Sequence, residues 1–305
     1  MRLKGLFASQ SIWIKGLIIL ILCFINLCLG ALIARGVSFL LTNVSTGLDS
    51  ITDELIEQAI VSAVAFILTG WVCIKLLIKN DNITKVGRTS LKEVILPAIF
   101  LILFSIPFIN QLAVWNSELT LPESLAGLEK LMKEMEDTAN AITMQFLERT
   151  TTTDYVINII VLALIPAIGE EMLFRGTIQQ SMTESGWNKH LSVILTAAIF
   201  SAIHFQFYGF LPRLALGIIL GYAFLWSGSV WISSLIHFIN NALVVTAAFA
   251  ISKTGLAKTT EEGMKEVDNF GTGDYITPAI SLLLVVMLML IIKRYYARTK
   301  AERSL

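Results

Sequence analysis

Glu170, Glu171 and Arg175 stand in "GEEMLFRG", residues 169–176, directly after the apolar run "YVINIIVLALIPAI". Charges are expensive in such a run, and where they occur they face a protein interior or a water-filled cavity. Two further apolar runs carry polar groups: His204 in "FSAIHF", and His237 with Asn241 in "LIHFINNAL". Two of the chain's three histidines therefore fall in these runs. A carboxylate can act as general base toward water, and a neutral imidazole beside it can share or relay the proton. A second imidazole and an amide can donate hydrogen bonds to a developing oxyanion, a good donor contributing about 3–4 kcal/mol. Hydrolysis of a peptide bond inside a membrane is the reaction class this set suits. No Ser/His/Asp or Cys/His arrangement competes with it.

Helical spacing says which groups can act together. Glu171 and Arg175 are four residues apart, so they share a face and can pair. Glu170 is turned by about 100° from Glu171 and points away from that pair. His237 and Asn241 repeat the four-residue step, as do Phe200 and His204. With a turn centred on Trp187, Glu170 and His204 lie equally far from it in sequence, roughly 25 Å along their helices. An antiparallel hairpin would bring them level. A turn at residues 227–229 puts Asn241 about 20 Å up its helix, and a bend near Pro166 can absorb the difference.

Each group also has a plain structural reading. An intramembrane Glu–Arg pair can be a packing device, a histidine on an apolar helix can be a satisfied core residue, and Asn241 can be interhelical glue. Glu170, His204 and His237 are also proper zinc ligands, although no H-E-x-x-H spacing supports a zinc protease. The combination across three segments favours hydrolysis over any of these readings taken singly.

The elements that must position these groups are membrane spans. Of 305 residues, 55% are hydrophobic and 15% charged, against about 25% charged in a soluble domain. Mean hydropathy is +0.73. Net formal charge is zero, so no basic surface points to nucleic acid. Cys23, Cys28 and Cys73 lie in apolar runs without zinc or disulfide spacing. A span needs about 20 apolar residues, which predicts eight, near 14–41, 57–79, 93–115, 154–183, 188–207, 209–227, 229–251 and 275–294. The first follows basic residues but lacks a small-x-small cleavage site, and reads as a retained span.

The expected fold is all-α, a polytopic transmembrane bundle of about eight spans. Three segments are expected within it: residues 1–153 with the N-terminal spans, 154–251 with the polar motifs, and 252–305 with a loop, the last span and a basic tail. The loop "TNVSTGLDSITDEL" has no Lys or Arg, whereas "KNDNITKVGRTSLK" and the tail "KRYYARTKAERSL" are rich in them. That alternation predicts both termini in the cytoplasm. Between the third and fourth spans, Leu121, Leu125, Leu128 and Leu131 or Met132 recur at helical spacing after Pro122 and Glu123. They predict an amphipathic helix at the membrane interface.

In order along the chain, "EEMLFR" reads as E-E-x-x-x-R, "FSAIH" as F-x-x-x-H and "HFINN" as H-x-x-x-N. This ordered trio resembles the CPBP family, which groups type II CAAX prenyl endopeptidases with bacteriocin-processing and bacteriocin-immunity proteins. The resemblance covers about residues 155–250. It implies an intramembrane endopeptidase in which Glu170 activates water with His204 as partner, while His237 and Asn241 form the oxyanion site. Glu171 and Arg175 would organise the helix, and Phe200 would shape an aqueous cavity. It further implies a membrane-associated protein or peptide as substrate and no required metal, with a divalent ion such as zinc on Glu170, His204 and His237 as the other possibility. A bacterial inner membrane is the expected location. The resemblance equally admits a non-catalytic immunity or scaffold protein of the same fold. An ion-coupled transporter would call for paired inverted repeats with broken helices, and none is found.

Overall fold

The computed structural model describes residues 4–43, 50–79, 81–84 and 91–302. Parts of the loops that carry the predicted charge alternation, and the last three residues of the basic tail, lie outside the described residues. The described residues are mostly helical, with no strand among them. Seven helices are long and apolar enough to cross a membrane. In chain order the helices are α1 (Ile12–Asn43), α2 (Ser50–Leu77), α3 (Leu91–Ser117), α4 (Ala126–Leu147) and α5 (Thr152–Glu184). Then follow α6 (Lys189–Ala202), α7 (Phe210–Ser227), α8 (Val230–Thr254), α9 (Thr260–Asp268) and α10 (Ile276–Glu302).

The protein is thus an all-α integral membrane protein, close to the predicted eight spans. The fifth predicted span is the one that differs. It forms α6, only 14 residues long, or about 21 Å at the α-helical rise, short of the roughly 30 Å of a bilayer core. The chain leaves the helix after Ala202, and Phe205 takes a left-handed conformation with φ 53°. No proline or glycine marks that exit in the sequence. A bulky side chain in this region costs roughly 1–2 kcal/mol, so the turn must be held by its surroundings.

The helices fall into two compact units that interleave along the chain. The first comprises residues 1–87, 151–192 and 228–245. Here α2 packs on α5 at close range because glycines face the contact. A Cβ at Gly169 would lie 2.7 Å from Cβ of Phe66, and one at Gly70 would lie 2.7 Å from Cβ of Met172. Without a hydrophobic drive between helices in lipid, such small-residue contacts and interhelical hydrogen bonds carry association. One such bond joins α1 to α2, from Asn26 Nδ2 to Thr69 Oγ1 at 2.8 Å, fully buried.

Both packed helices contain wider, π-helical turns, at Ala63–Leu68 in α2 and at Ile159–Leu164 and Phe174–Gln179 in α5. The irregularity expected near Pro166 takes the form of the first π turn of α5, which ends just before it. The second contains Arg175. Such turns occur frequently at functional sites.

The second unit comprises residues 88–150, 193–227 and 246–305. Its centre is α3 packed along α10. Pro97 and Pro107 lie inside α3. Beside Pro107, Ser281 Oγ of α10 accepts from Phe108 N–H at 3.1 Å and donates to the Phe104 carbonyl. The predicted amphipathic helix is α4, preceded by a 3-10 turn at Glu123–Leu125. Its apolar stripe, including Leu128, Leu131, Met135 and Ile142, is exposed, as is Leu125 in the turn before it.

Candidate active site

In the first unit α5 and α8 bring four of the predicted residues together. Arg175 Nη1 donates to Glu171 Oε1 at 2.6 Å, and both side chains are 0% exposed. The four-residue spacing predicted this pair, and it is kept although Arg175 is the second residue of the π turn Phe174–Gln179. The same Glu171 oxygen accepts from Nδ1 of His237 at 3.1 Å. On the other edge of the ring, His237 Nε2 faces Glu170 Oε2 at 3.9 Å, with side-chain exposures of 4% and 13%.

Glu170 and Glu171 therefore point to opposite edges of one imidazole. A 100° step between adjacent helical positions allows this, because the ring of α8 lies between the two directions. Glu171 Oε2 is buried and has no hydrogen-bond partner among the described residues. A carboxylate oxygen only accepts, so the bond to Glu171 fixes the proton on Nδ1 of His237. The shared oxygen, Glu171 Oε1, thus holds both the guanidinium and the imidazole.

Asn241 lies one turn beyond His237 on α8. Its Oδ1 accepts from Asn240 Nδ2 at 3.1 Å. Asn240 is a residue that sequence reasoning passed over. The doubled asparagine in "HFINN" is the signal that could have found it.

Phe200 and His204 lie in the second unit. His204 is two residues beyond the end of α6, in the turn, rather than on the helix as predicted. Its Nδ1 lies 2.8 Å from the Phe200 carbonyl. A carbonyl can only accept, so here too Nδ1 carries the proton and Nε2 presents its lone pair. Phe200 is buried, and its ring meets the imidazole edge-on with centroids 5.0 Å apart and planes at 72°. The predicted four-residue step thus appears as one hydrogen bond and one ring contact.

Among the described residues, no group of three or more His, Cys, Asp or Glu side chains is arranged to hold a metal ion. Zinc binding by Glu170, His204 and His237 was the metal arrangement open from the sequence, and no step is assigned to an ion here.

Residues 152–243 match the family model described as Rce1-like, type II CAAX prenyl endopeptidase. That segment runs from the start of α5 to two residues past Asn241 and contains every residue singled out above. The uncharacterized protein YpbD of Bacillus subtilis (strain 168) is 32% identical over 90 residues, 28% of this chain. The match covers 43% of that relative, so the chain spans less than half its length. No solved structure matches. The polar motifs, the helices that carry them and the matched segment coincide, and it is over residues 152–243 that the chain is similar to the Rce1-like, type II CAAX prenyl endopeptidases.

Proposed function

We propose that the protein is an intramembrane endopeptidase that hydrolyses a peptide bond of a membrane-associated protein or peptide. Glu170 removes a proton from water, and the resulting hydroxide attacks the scissile carbonyl. His204 is the proton partner of Glu170, through Nε2. His237 and Asn241 donate to the oxyanion. Collapse of the tetrahedral intermediate breaks the C–N bond, and the proton taken from water passes to the leaving amine, giving a carboxylic acid and an amine. No metal takes part.

The observation that carries this reading is the ring of His237 gripped at Nδ1 by Glu171, itself fixed by Arg175, with Glu170 across the other edge at 3.9 Å. A distance of 3.9 Å is too long for a direct hydrogen bond and suits a shared water. With Nδ1–H committed to Glu171, donation to the oxyanion falls to the Nε2 edge of the ring, the edge that faces Glu170. Such preorganised donors in a water-poor site commonly supply the largest part of a rate enhancement. The Rce1-like match supports the same reaction class.

The reading includes a bacterial inner membrane as location and both termini in the cytoplasm. An even number of crossings then requires the segment from Lys189 to Gly209 to complete one, although α6 alone is short. The decisive experiment compares cleaved membrane peptides from cells making wild type, Glu170→Gln or His204→Ala. Both variants are expected to fold and to lose cleavage by about 10³-fold or more, and a chelator is expected to leave wild-type cleavage unchanged. Cleavage that survives both substitutions would end the proposal. A non-catalytic immunity protein would keep its protective phenotype in Glu170→Gln.

A further inference from the structure

The turn that carries His204 is tied down from outside by side chains far away in sequence. Asn116, at the end of α3, donates from Nδ2 to the Phe207 carbonyl at 2.8 Å and accepts at Oδ1 from Leu211 N–H at 2.6 Å. Glu136, on α4, accepts at Oε2 from Tyr208 N–H at 2.8 Å. Glu129, two turns earlier on α4, accepts from the Tyr208 hydroxyl at 3.2 Å. Within the segment, Ser201 Oγ donates to the Phe210 carbonyl at 2.7 Å, and Arg213 Nη2 donates to Gln206 Oε1 at 2.7 Å.

These ties have a local cause. The first N–H groups of a helix have no partner within it and need caps. At the start of α7 and the 3-10 turn before it, Phe207–Gly209, the caps come from partners 72 and 95 residues away in sequence. Asn116 is 1% exposed and Glu136 9% exposed. Glu136 is also turned away from the exposed apolar stripe of its own helix. A buried carboxylate on an otherwise amphipathic surface helix is costly unless its bonds are made, and this one is spent on the backbone four residues beyond His204.

We propose that Asn116 and Glu136 are positioning residues, through which α3 and α4 set where the His204 imidazole lies. The inference rests on the reading of His204 as the proton partner. With Phe205 held left-handed and Nδ1 of His204 bonded to Phe200, the ring has little freedom of its own. Its place is then decided by where the turn is anchored. Displacing a reacting group by about 1 Å can cost a hundredfold in rate, so a peripheral helix can govern the chemistry without touching substrate.

The test uses full-length protein in nanodiscs, labelled with 15N in its histidines. With three histidines in the chain, the ring signals of His204 are assigned by their loss in His204→Ala. Glu136→Ala is expected to shift or split the His204 signals while leaving those of His237 in place. It should also lower kcat by about tenfold or more with KM within about twofold. Glu136→Gln, which keeps an acceptor oxygen, should restore both. Asn116→Asp keeps the acceptor for Leu211 and loses the donor to Phe207, and it provides an intermediate shift should Glu136→Ala fail to fold.

Unmoved His204 signals in the folded variants, signals of all histidines moving together, or moved signals with kcat intact would each overturn the proposal. The spectra need no substrate. They therefore judge the positioning even if Glu170→Gln retains cleavage and the proteolytic reading falls.

Discussion

The two regions that carry the motif residues are built on opposite plans. On α5 and α8 the groups sit within long helices and are locked by a buried ion pair. The rigid parts there are side chains, Arg175 to Glu171 to His237. In the turn after α6 the side chain is ordinary and the backbone is what is fixed, by Asn116 and Glu136. The comparison teaches that a histidine can be oriented from its ring or from its peptide. The two plans fail differently: the first loses charge balance, the second loses place.

The largest effect expected from breaking the first plan is Arg175→Met. It leaves Glu171 as an uncompensated buried charge and should cost about 3–5 kcal/mol, read as a lowered unfolding midpoint in detergent. Glu171→Met together with Arg175→Met should recover much of that loss, because replacing a whole buried pair with apolar groups is often near neutral. Gly169→Ala comes next. Its new Cβ would press on Phe66 beside the Glu170 position, and overpacking of this kind costs roughly 1–3 kcal/mol. Gly16→Ala, where nothing lies within 4 Å, serves as its control in the same thermal assay. The smallest effect belongs to the second plan. Phe205→Gly removes the left-handed strain and should change stability by no more than about 1 kcal/mol. Any loss of cleavage with stability held would then mark the turn's conformation as functional.

What could be read from the chain beforehand follows the range of the forces involved. The spans are set by continuous apolar runs, and the Glu171–Arg175 pair and the stripe of α4 by residues three or four apart; those patterns are written locally. The π turns are not, since nothing in "FRGTIQ" distinguishes a widened turn from an ordinary one. The end of α6 was equally hidden, because no breaker stands at Ala202. The remote caps were out of reach altogether: the segment reads as an amphipathic interfacial helix, and nothing near Glu136 names a backbone amide 72 residues onward. The meeting of His237 with Glu171 spans 66 residues. It was legible only as an ordered set of polar groups that needed company.

Ser281 bears on how the second unit is put together. The groups it bridges on α3 lie 173 and 177 residues earlier in the chain. Sliding α10 by one turn, about 5.4 Å, would forfeit both bonds at once. Together with the bond from the Tyr295 hydroxyl to Glu93, the Ser281 bridge meshes α10 with α3 at one height, so this pairing has a definite register rather than a sliding fit.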